Sequence, residues 1–308
     1  MPPPAGGDPP RVSVIVPAHA KAARLRLTLC ALVPQCRDHP GRELLVVADG
    51  ATAEVAAVLA GLEDVRVART PGLGRAGARN AGARAAAADL LLFVDDDILT
   101  GPDFVSAHVA AQAAGPALVH GSLREMIGLL RVDDPADGGP GVPPVAAEAL
   151  REGRWTPAGV RLTTSALERA AEGVFAGSLP VNAPWLASAG ANVSVPRALW
   201  RAVGGYDEGF GRRWGMEDLD FGWRLWSAGH AVRLCEAARG YHMSHHDPRR
   251  WDEQAPNLDA FLRRVGPVPE ALALPALLSP AGSPEAYAAE VVRWRNRRAP
   301  DPSLPTPA

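Results

Sequence analysis

The hydrophobic pattern of the first part of the chain changes period repeatedly, and each change marks an element. Arg11 to Val16 (R-V-S-V-I-V) is a β-branched run stopped by Pro17, which predicts a first strand. Lys21 to Val33 then carries Leu25, Leu29 and Leu32 at helical spacing. A second strand is predicted at Glu43 to Val47, ended by Ala48-Asp49-Gly50, and Thr52 is placed to cap a helix running to Leu59. Val65 to Ala68 predicts a third strand, which leads through Pro71-Gly72 into an Ala/Arg-rich helix from about Arg75 to Ala87. Leu90 to Val94 is an apolar run with the length of a strand buried on both faces, followed by a helix from about Pro102 to Ala114. Strands alternating with helices in this way predict an α/β fold with a doubly wound, mostly parallel sheet.

The pattern loosens from Arg131 to Pro180, where Asp133 to Pro144 is Pro/Gly/Asp-rich and reads as a long flexible loop. Order returns at Pro184 to Val195, and Pro196 to Val203 predicts a short helix ended by Gly204-Gly205. Glu217 to Ala228 predicts a helix with Leu219, Trp223 and Trp226 on one face and Gly229 as its stop. Ala231 to Leu234 predicts a strand, and Gly240 to Asp247 a loop dense in imidazole. Beyond Gly266 the chain is Pro-rich, with one further helix at about Pro284 to Arg297 that places Tyr287, Val291 and Trp294 on one face. Its arginines, Arg293, Arg295, Arg297 and Arg298, read as a solvated basic end. The expected organisation is a disordered tail (1–10), two ordered halves (11–125 and 184–250) around a variable region (126–183), and a helical extension (251–308).

In open α/β sheets ligands bind beyond the carboxyl ends of the strands. Pro17–His19, Ala48–Gly50 and Asp95–Asp97 all fall there. The last of these closes the run D-L-L-L-F-V-D-D-D. Residues two apart on an extended segment point the same way, so Asp95 and Asp97 can face one point while Asp96 faces elsewhere. Two carboxylates held that close are costly unless a cation or a hydrogen-bond donor lies between them, and hard oxygen ligands suit Mg²⁺ or Mn²⁺. Two further clusters carry chemistry. Trp214-Gly215-Met216-Glu217-Asp218 puts acids in the first turn of a helix, where the dipole favours them, with an aromatic face beside them on which a sugar ring can stack. His242, His245 and His246 lie within five residues of one another and are candidate metal ligands. Gly72-Leu73-Gly74-Arg75-Ala76-Gly77 matches a dinucleotide fingerprint but sits at the third strand–helix junction rather than the first, which argues against a nicotinamide cofactor. The same turn exposes backbone N–H groups able to hold an anion, with Arg75 or Arg79 beside a diphosphate.

Composition narrows the classes. The 308 residues carry a net charge of −2 with 21% charged residues, which gives no reason to expect a nucleic-acid partner. No apolar run reaches the ~18 residues that a transmembrane segment needs, and the N-terminus lacks the basic and apolar regions of a signal peptide. Three cysteines, Cys30, Cys36 and Cys235, have no metal or redox spacing and fit a reduced compartment. The expectation is a cytoplasmic protein.

Taken together these motifs resemble the family-2 glycosyltransferases with the GT-A fold. The marks are V-S-V-I-V-P (Val12 to Pro17), the V-V-A-D-G-A turn, A-R-N-A-G (Ala78 to Gly82) and F-V-D-D-D (Phe93 to Asp97). The segment from about Ala189 to His246 resembles the acceptor side of β-1,4-galactosyltransferases through G-A-N-V-S (Gly190 to Ser194), G-G-Y-D-E (Gly204 to Glu208) and W-G-M-E-D-L-D-F (Trp214 to Phe221). The resemblance implies a nucleotide-diphospho-sugar transferase fold with an acceptor-side subdomain. It implies an inverting enzyme that moves a hexose from a nucleotide-diphosphate sugar, of the UDP type, to a hydroxyl of a soluble small-molecule, peptide or glycan acceptor.

The resemblance also implies roles. Asp95 and Asp97 form a D-x-D motif holding Mn²⁺ or Mg²⁺ on the donor diphosphate, with His245 and His242 as further metal ligands. Asp218 is the base that deprotonates the acceptor, Glu217 positions it, and Trp214 and Asn192 belong to the acceptor site. Pro17, His19, Asp49, Arg79, Asp95 and Asp96 contact the donor. Two departures bear on the base. Ala48 stands where the family has an acid that reads uracil, and Pro17-Ala18-His19-Ala20 lacks the usual aromatic. The competing classes are a non-catalytic sugar-nucleotide-binding module, a sugar-nucleotide pyrophosphorylase and an NAD-dependent oxidoreductase. The pyrophosphorylase needs a glycine-rich basic loop after the first strand, where this chain has His19-Ala20-Lys21.

Overall fold

The computed structural model describes residues 11–127, 161–244 and 250–298. The tail 1–10, the loop expected at Asp133 to Pro144, and His245 and His246 lie outside the described residues. Strands β1 (Val12–Ala18), β2 (Arg42–Asp49), β3 (Arg66–Thr70) and β4 (Leu90–Val94) pair in parallel in the order β3-β2-β1-β4. Beyond β4 the sheet continues through β8 (Asn192–Pro196), β6 (Ala117–Ile127), β9 (Ala231–His242) and β5 (Ile98–Thr100), with β7 (Arg161–Thr163) pairing β6. Strand β8 runs antiparallel to both β4 and β6, so the parallel donor-side half joins the second half through a reversed strand.

Period-two burial sorts the parallel strands onto two cores. Val12, Val14 and Val16 of β1, Leu44 and Val46 of β2, and Leu92 and Val94 of β4 face one core with Leu25, Leu29 and Leu32 of α1 (Ala22–Arg37). Ile15, Leu45, Val47, Leu91 and Phe93 face the other core. That second face is covered by α3 (Gly74–Ala85) and by α7 (Glu217–Ser227), with Trp185, Tyr206 and Phe221 among its largest side chains. The other helices are α2 (Ala53–Ala60), α4 (Phe104–Ala111), α5 (Ala166–Phe175), α6 (Arg197–Ala202), α8 (Arg250–Val265), α9 (Pro269–Leu272) and α10 (Pro284–Arg298). Among the described residues no helix is long and apolar enough to cross a membrane.

Strands β5, β6 and β7 and helices α5, α8 and α9 lie where the sequence pattern predicts no element, and β9 is longer than expected. Strand β6 carries the buried polar residues His120 and Ser122 on either side of Gly121, which breaks its apolar run. Strand β9 continues past Leu234 to His242, so part of the expected imidazole loop is strand. Helix α8 carries Pro256 inside it. His120 Nε2 bonds Glu168 Oε2 of α5 at 2.9 Å, while His108 of α4 is fully buried against the sheet and bonds Ser194 Oγ through Nδ1 (3.0 Å) and Asn192 Oδ1 through Nε2 (2.7 Å). Burial pushes the His108 ring down to about 4, so at neutral pH it is uncharged, donating through Nε2 and accepting at Nδ1.

Helix α3 approaches the sheet closely at Gly82. A Cβ there would lie 2.3 Å from Ile15 Cγ2 and 3.0 Å from Val47 Cγ2. Gly82→Ala gains about 1 kcal/mol of helix propensity against about 1–3 kcal/mol of overpacking. At 2.3 Å the clash dominates. The expected result in urea denaturation is a net loss of about 1–2 kcal/mol, where propensity alone gives a gain.

Candidate active site

A cleft of about 320 Å³ opens where β1, β2 and β4 end. Its walls include Pro17, His19, Asp49, Arg79, Asp95 and Asp96, all six of the residues expected at the donor, together with Lys21, Arg75 and Arg212. Four basic side chains (Lys21, Arg75, Arg79 and Arg212) and three carboxylates (Asp49, Asp95 and Asp96) therefore share one concave site, whose excess of cations suits an anionic ligand.

Asp49 is committed to the frame of this cleft. Its Oδ1 accepts from Thr70 Oγ1 (2.6 Å) and Leu73 N (2.5 Å), and its Oδ2 accepts from Gly74 N (2.8 Å). Against desolvation, which raises it, these hydrogen bonds hold the Asp49 carboxyl below the usual range. The anion at the glycine-rich turn before α3 is thus Asp49 itself, so those N–H groups are not left for a ligand phosphate. His19 Nδ1 bonds the Asp49 carbonyl at 2.8 Å, which sets its ring at the cleft wall.

At the end of β4 the three carboxylates take three different environments. Asp95 is half-buried and accepts from Arg79 Nη2 at 2.7 Å. Asp96 is pushed up to about 7, by burial first and by Asp97 and Asp95 next, over the opposing pull of Lys21. Asp97 is 3% exposed, and its Oδ2 meets Lys21 Nζ at 2.5 Å and His242 Nε2 at 3.3 Å. Against desolvation, the charges of Lys21 and His242 hold Asp97 well below the carboxylate range. His242 also bonds Glu125 Oε2 through Nδ1 at 2.8 Å. Desolvation lowers its pKa, but the charge of Asp97 outweighs this and lifts the ring to about 10.

Among the described residues no group of three or more His, Cys, Asp or Glu side chains is arranged to hold a metal ion. Asp97, His242 and Asp95 are of the carboxylate and imidazole types that a divalent cation takes as ligands. Asp97 Oδ2 and His242 Nε2 face each other with the His oriented by Glu125, an arrangement typical of metal-ligand histidines. Asp95 is close by in sequence, and Mg²⁺ is commonly held by one or two carboxylates plus substrate phosphates.

The second group of candidate residues reaches the cleft through Arg79. This guanidinium is 2% exposed and bridges Asp95 and Glu217, whose Oε1 accepts from Nη1 at 3.0 Å. Desolvation lowers the Arg79 pKa, but the charges of Asp95 and Glu217 more than offset it, and the group stays cationic. The ring of Tyr206 lies 5.4 Å from Arg79 Cζ, and Gly190 leaves space for the guanidinium, since a Cβ there would be 2.7 Å from Cζ. Asp218 follows Glu217 at the start of α7. It is half-buried, accepting from Gly190 N (3.2 Å) and Leu219 N (2.8 Å). Burial, then the charge of Glu217, pushes Asp218 up to about 6.

The turn that aims these acids is unusual. Gly215 and Met216 are both left-handed (φ 88° and 76°), and Met216 is the one non-glycine residue with positive φ among the described residues. Such a conformation costs about 1–3 kcal/mol, and here it is held from outside. Asn257 of α8 donates to the Gly215 carbonyl at 3.0 Å, Glu253 accepts from Trp214 N at 3.2 Å, and Met216 is buried. Trp214 is half-buried beside this turn. Asn192, expected at the acceptor, is instead fully buried. Besides accepting from His108, its amide donates to the carbonyls of Ala238 (2.8 Å) and Ser122 (3.4 Å), so it knits the sheet and faces no acceptor. Lys21, Arg212, Glu125 and Asn257 are site or support residues that no motif singled out.

Comparison with known proteins bears on the family and the fold. Residues 13–135 match the family model described as glycosyl transferase family 2, and residues 174–247 match the one described as the N-terminal domain of galactosyltransferase. The first half of the chain, residues 13–135, thus matches the family-2 glycosyltransferases, and the fold is GT-A. It is 30% identical over 270 residues to validoxylamine A glucosyltransferase of Streptomyces hygroscopicus subsp. jinggangensis (strain 5008), over 83% of this chain and 61% of that protein. The chain thus spans about three fifths of that relative's length. Among solved structures it is similar to mannosyltransferase PcManGT from Pyrobaculum calidifontis in complex with GDP-Man and Mn²⁺ (TM-score 0.57, 17% identity, 96% of this chain and 77% of that one). It is likewise similar to TarS 1-349 of S. aureus in complex with UDP-GlcNAc (TM-score 0.55, 15% identity, 94% and 73%).

Removing the Arg79 guanidinium strands two carboxylates, one of them 4% exposed. Breaking a buried pair in this way costs about 3–5 kcal/mol. Arg79→Met is expected to lose stability on that scale in urea denaturation at pH 7. Arg79→Lys, which keeps the charge but not the two-armed fork, is expected to regain less than half of it.

Proposed function

We propose that the protein is an inverting hexosyltransferase that takes its sugar from a nucleotide-diphosphate sugar and passes it to a hydroxyl of a soluble acceptor. One observation carries the reading. A buried guanidinium, Arg79, joins the carboxylate-and-cation cleft at the strand ends to the acids that begin α7. A donor site and a general base are thereby held on one rigid unit, as a displacement reaction needs.

In this reading the diphosphate lies among Lys21, Arg75 and Arg212, beside Asp95 and Asp96. Asp97, His242 and Asp95 are the residues that hold a divalent cation, Mn²⁺ or Mg²⁺, which supplies charge neutralisation of the departing diphosphate. Asp218 removes the proton of the acceptor hydroxyl from the face opposite the leaving group. Its raised pKa makes it a stronger base than an exposed aspartate while leaving it ionised at neutral pH. Trp214, half-buried beside the same turn, offers the acceptor an apolar face. The nucleoside rests against Pro17 and His19, with UDP the expected carrier. Ala48 supplies no side-chain acceptor for uracil, so the base is read by backbone groups and His19. The name of the Streptomyces relative supports glucose among the hexoses.

Asp218→Asn is expected to lower turnover by about 10²–10⁴-fold while leaving nucleotide affinity within about twofold, measured by initial rates and calorimetry. Wild-type turnover would contradict the base assignment. Because the carboxyl must be ionised to act, and its pKa is raised to about 6, kcat/KM is expected to hold above pH 6. Below that it should fall about tenfold per pH unit.

A further inference from the structure

We propose that Lys21 is a tethered cation that holds Asp97 until metal and donor bind, and that its ammonium then moves from Asp97 to the donor diphosphate. This rests on the donor site of the proposed function and adds to it a residue with two alternating partners.

Lys21 Nζ lies 2.5 Å from Asp97 Oδ2 and 3.9 Å from Asp96 Oδ1. The same Oδ2 faces His242 Nε2 at 3.3 Å. A divalent cation bound by Asp97 sits about 2.0–2.2 Å from its oxygen. An ammonium 2.5 Å from that oxygen competes for the same lone pairs, and like charges at such range repel strongly in a buried site. Metal and Lys21 therefore exclude each other at Asp97 Oδ2.

The local structure shows why a lysine stands there and how it can leave. Lys21 is the residue before α1, outside the helix (φ −92°, ψ 59°). It sits at the positive end of a sixteen-residue helix whose first turn holds no acidic residue, which is the wrong end for a cation as far as helix stability goes. Its place is set instead by carboxylates 75 and 76 residues downstream. The Asp97 side chain is 4% exposed but that of Lys21 is 28% exposed, so the ammonium approaches from the cleft side on a four-carbon stem. The cleft it borders also holds Arg75 and Arg212, the surroundings of a diphosphate. A rotamer change takes Nζ from carboxylate to phosphate with no backbone movement.

The proposal gives two effects of opposite sign, which a merely structural lysine does not. In the full-length chain, Lys21→Met is expected to bind Mn²⁺ alone at least tenfold more tightly than wild type, read from loss of the free-ion electron paramagnetic resonance signal. The same variant is expected to bind inorganic pyrophosphate at least tenfold more weakly at Mn²⁺ concentrations that saturate both proteins, read by calorimetry. Lys21→Gln serves if the Met variant is misfolded by circular dichroism, with the same directions expected, and Lys21→Arg should behave as wild type toward Mn²⁺. Equal Mn²⁺ affinity in wild type and Lys21→Met, with Mn²⁺-dependent UDP binding intact in both, overturns the Lys21 inference alone. Failure of either protein to bind Mn²⁺ even with UDP overturns the metal-dependent reading and this inference with it.

Discussion

The structure turns on the placement of one guanidinium. Arg79 is buried between the end of β4 and the start of α7, and a charge so placed is tolerated only with its counter-charges beside it. Asp95 and Glu217 supply them from positions 16 and 138 residues away. The guanidinium thus ties the first half of the molecule to the second. The residues around Arg79 serve the same junction. Asn80 bonds both the N–H and the C=O of Tyr206, Gly190 leaves room for the guanidinium, and Tyr206 lies under it. In the A-R-N-A-G run, the arginine ties the site, the asparagine ties the second half, and the last glycine lets α3 press on Ile15.

Environment then assigns different chemistry to like residues. Asp97 is pinned in its ionised form by two cationic neighbours, Asp96 is driven toward protonation by burial, and Asp218 is lifted to near 6 by burial and Glu217. Carboxyl groups whose environments push their pKa values apart are suited to different roles. Asp49, in the same cleft, is spent on architecture and fixes the turn that opens α3.

Much of this was legible in the sequence, for local reasons. The β-branched and apolar runs of β1 and β2 and the solid apolar run of β4 give the parallel half directly, and the strand ends then locate the cleft. What escaped was set by long-range partners. Strand β6 hides because His120 and Ser122 are polar yet buried, His120 Nε2 meeting Glu168 and Ser122 Oγ accepting from Arg239, partners the pattern cannot show. Asn192 sits in a motif that reads as acceptor-binding, but its amide is consumed within the sheet. Lys21 reads as an ordinary lysine before a helix, and only the fold brings it to Asp97. The pairing of Arg79 with Glu217 has no sequence signal, since each residue is explicable alone as a surface charge or a helix-start acid.

The most direct measurement is a calorimetric titration of UDP, GDP and TDP, with and without Mn²⁺, on the wild-type protein and Asp97→Ala. Metal-dependent binding of one nucleotide, UDP being expected, that disappears in the variant would establish the cleft as a donor site built around Asp97. Absence of binding by all three nucleotides, or binding indifferent to both Mn²⁺ and Asp97, would contradict it.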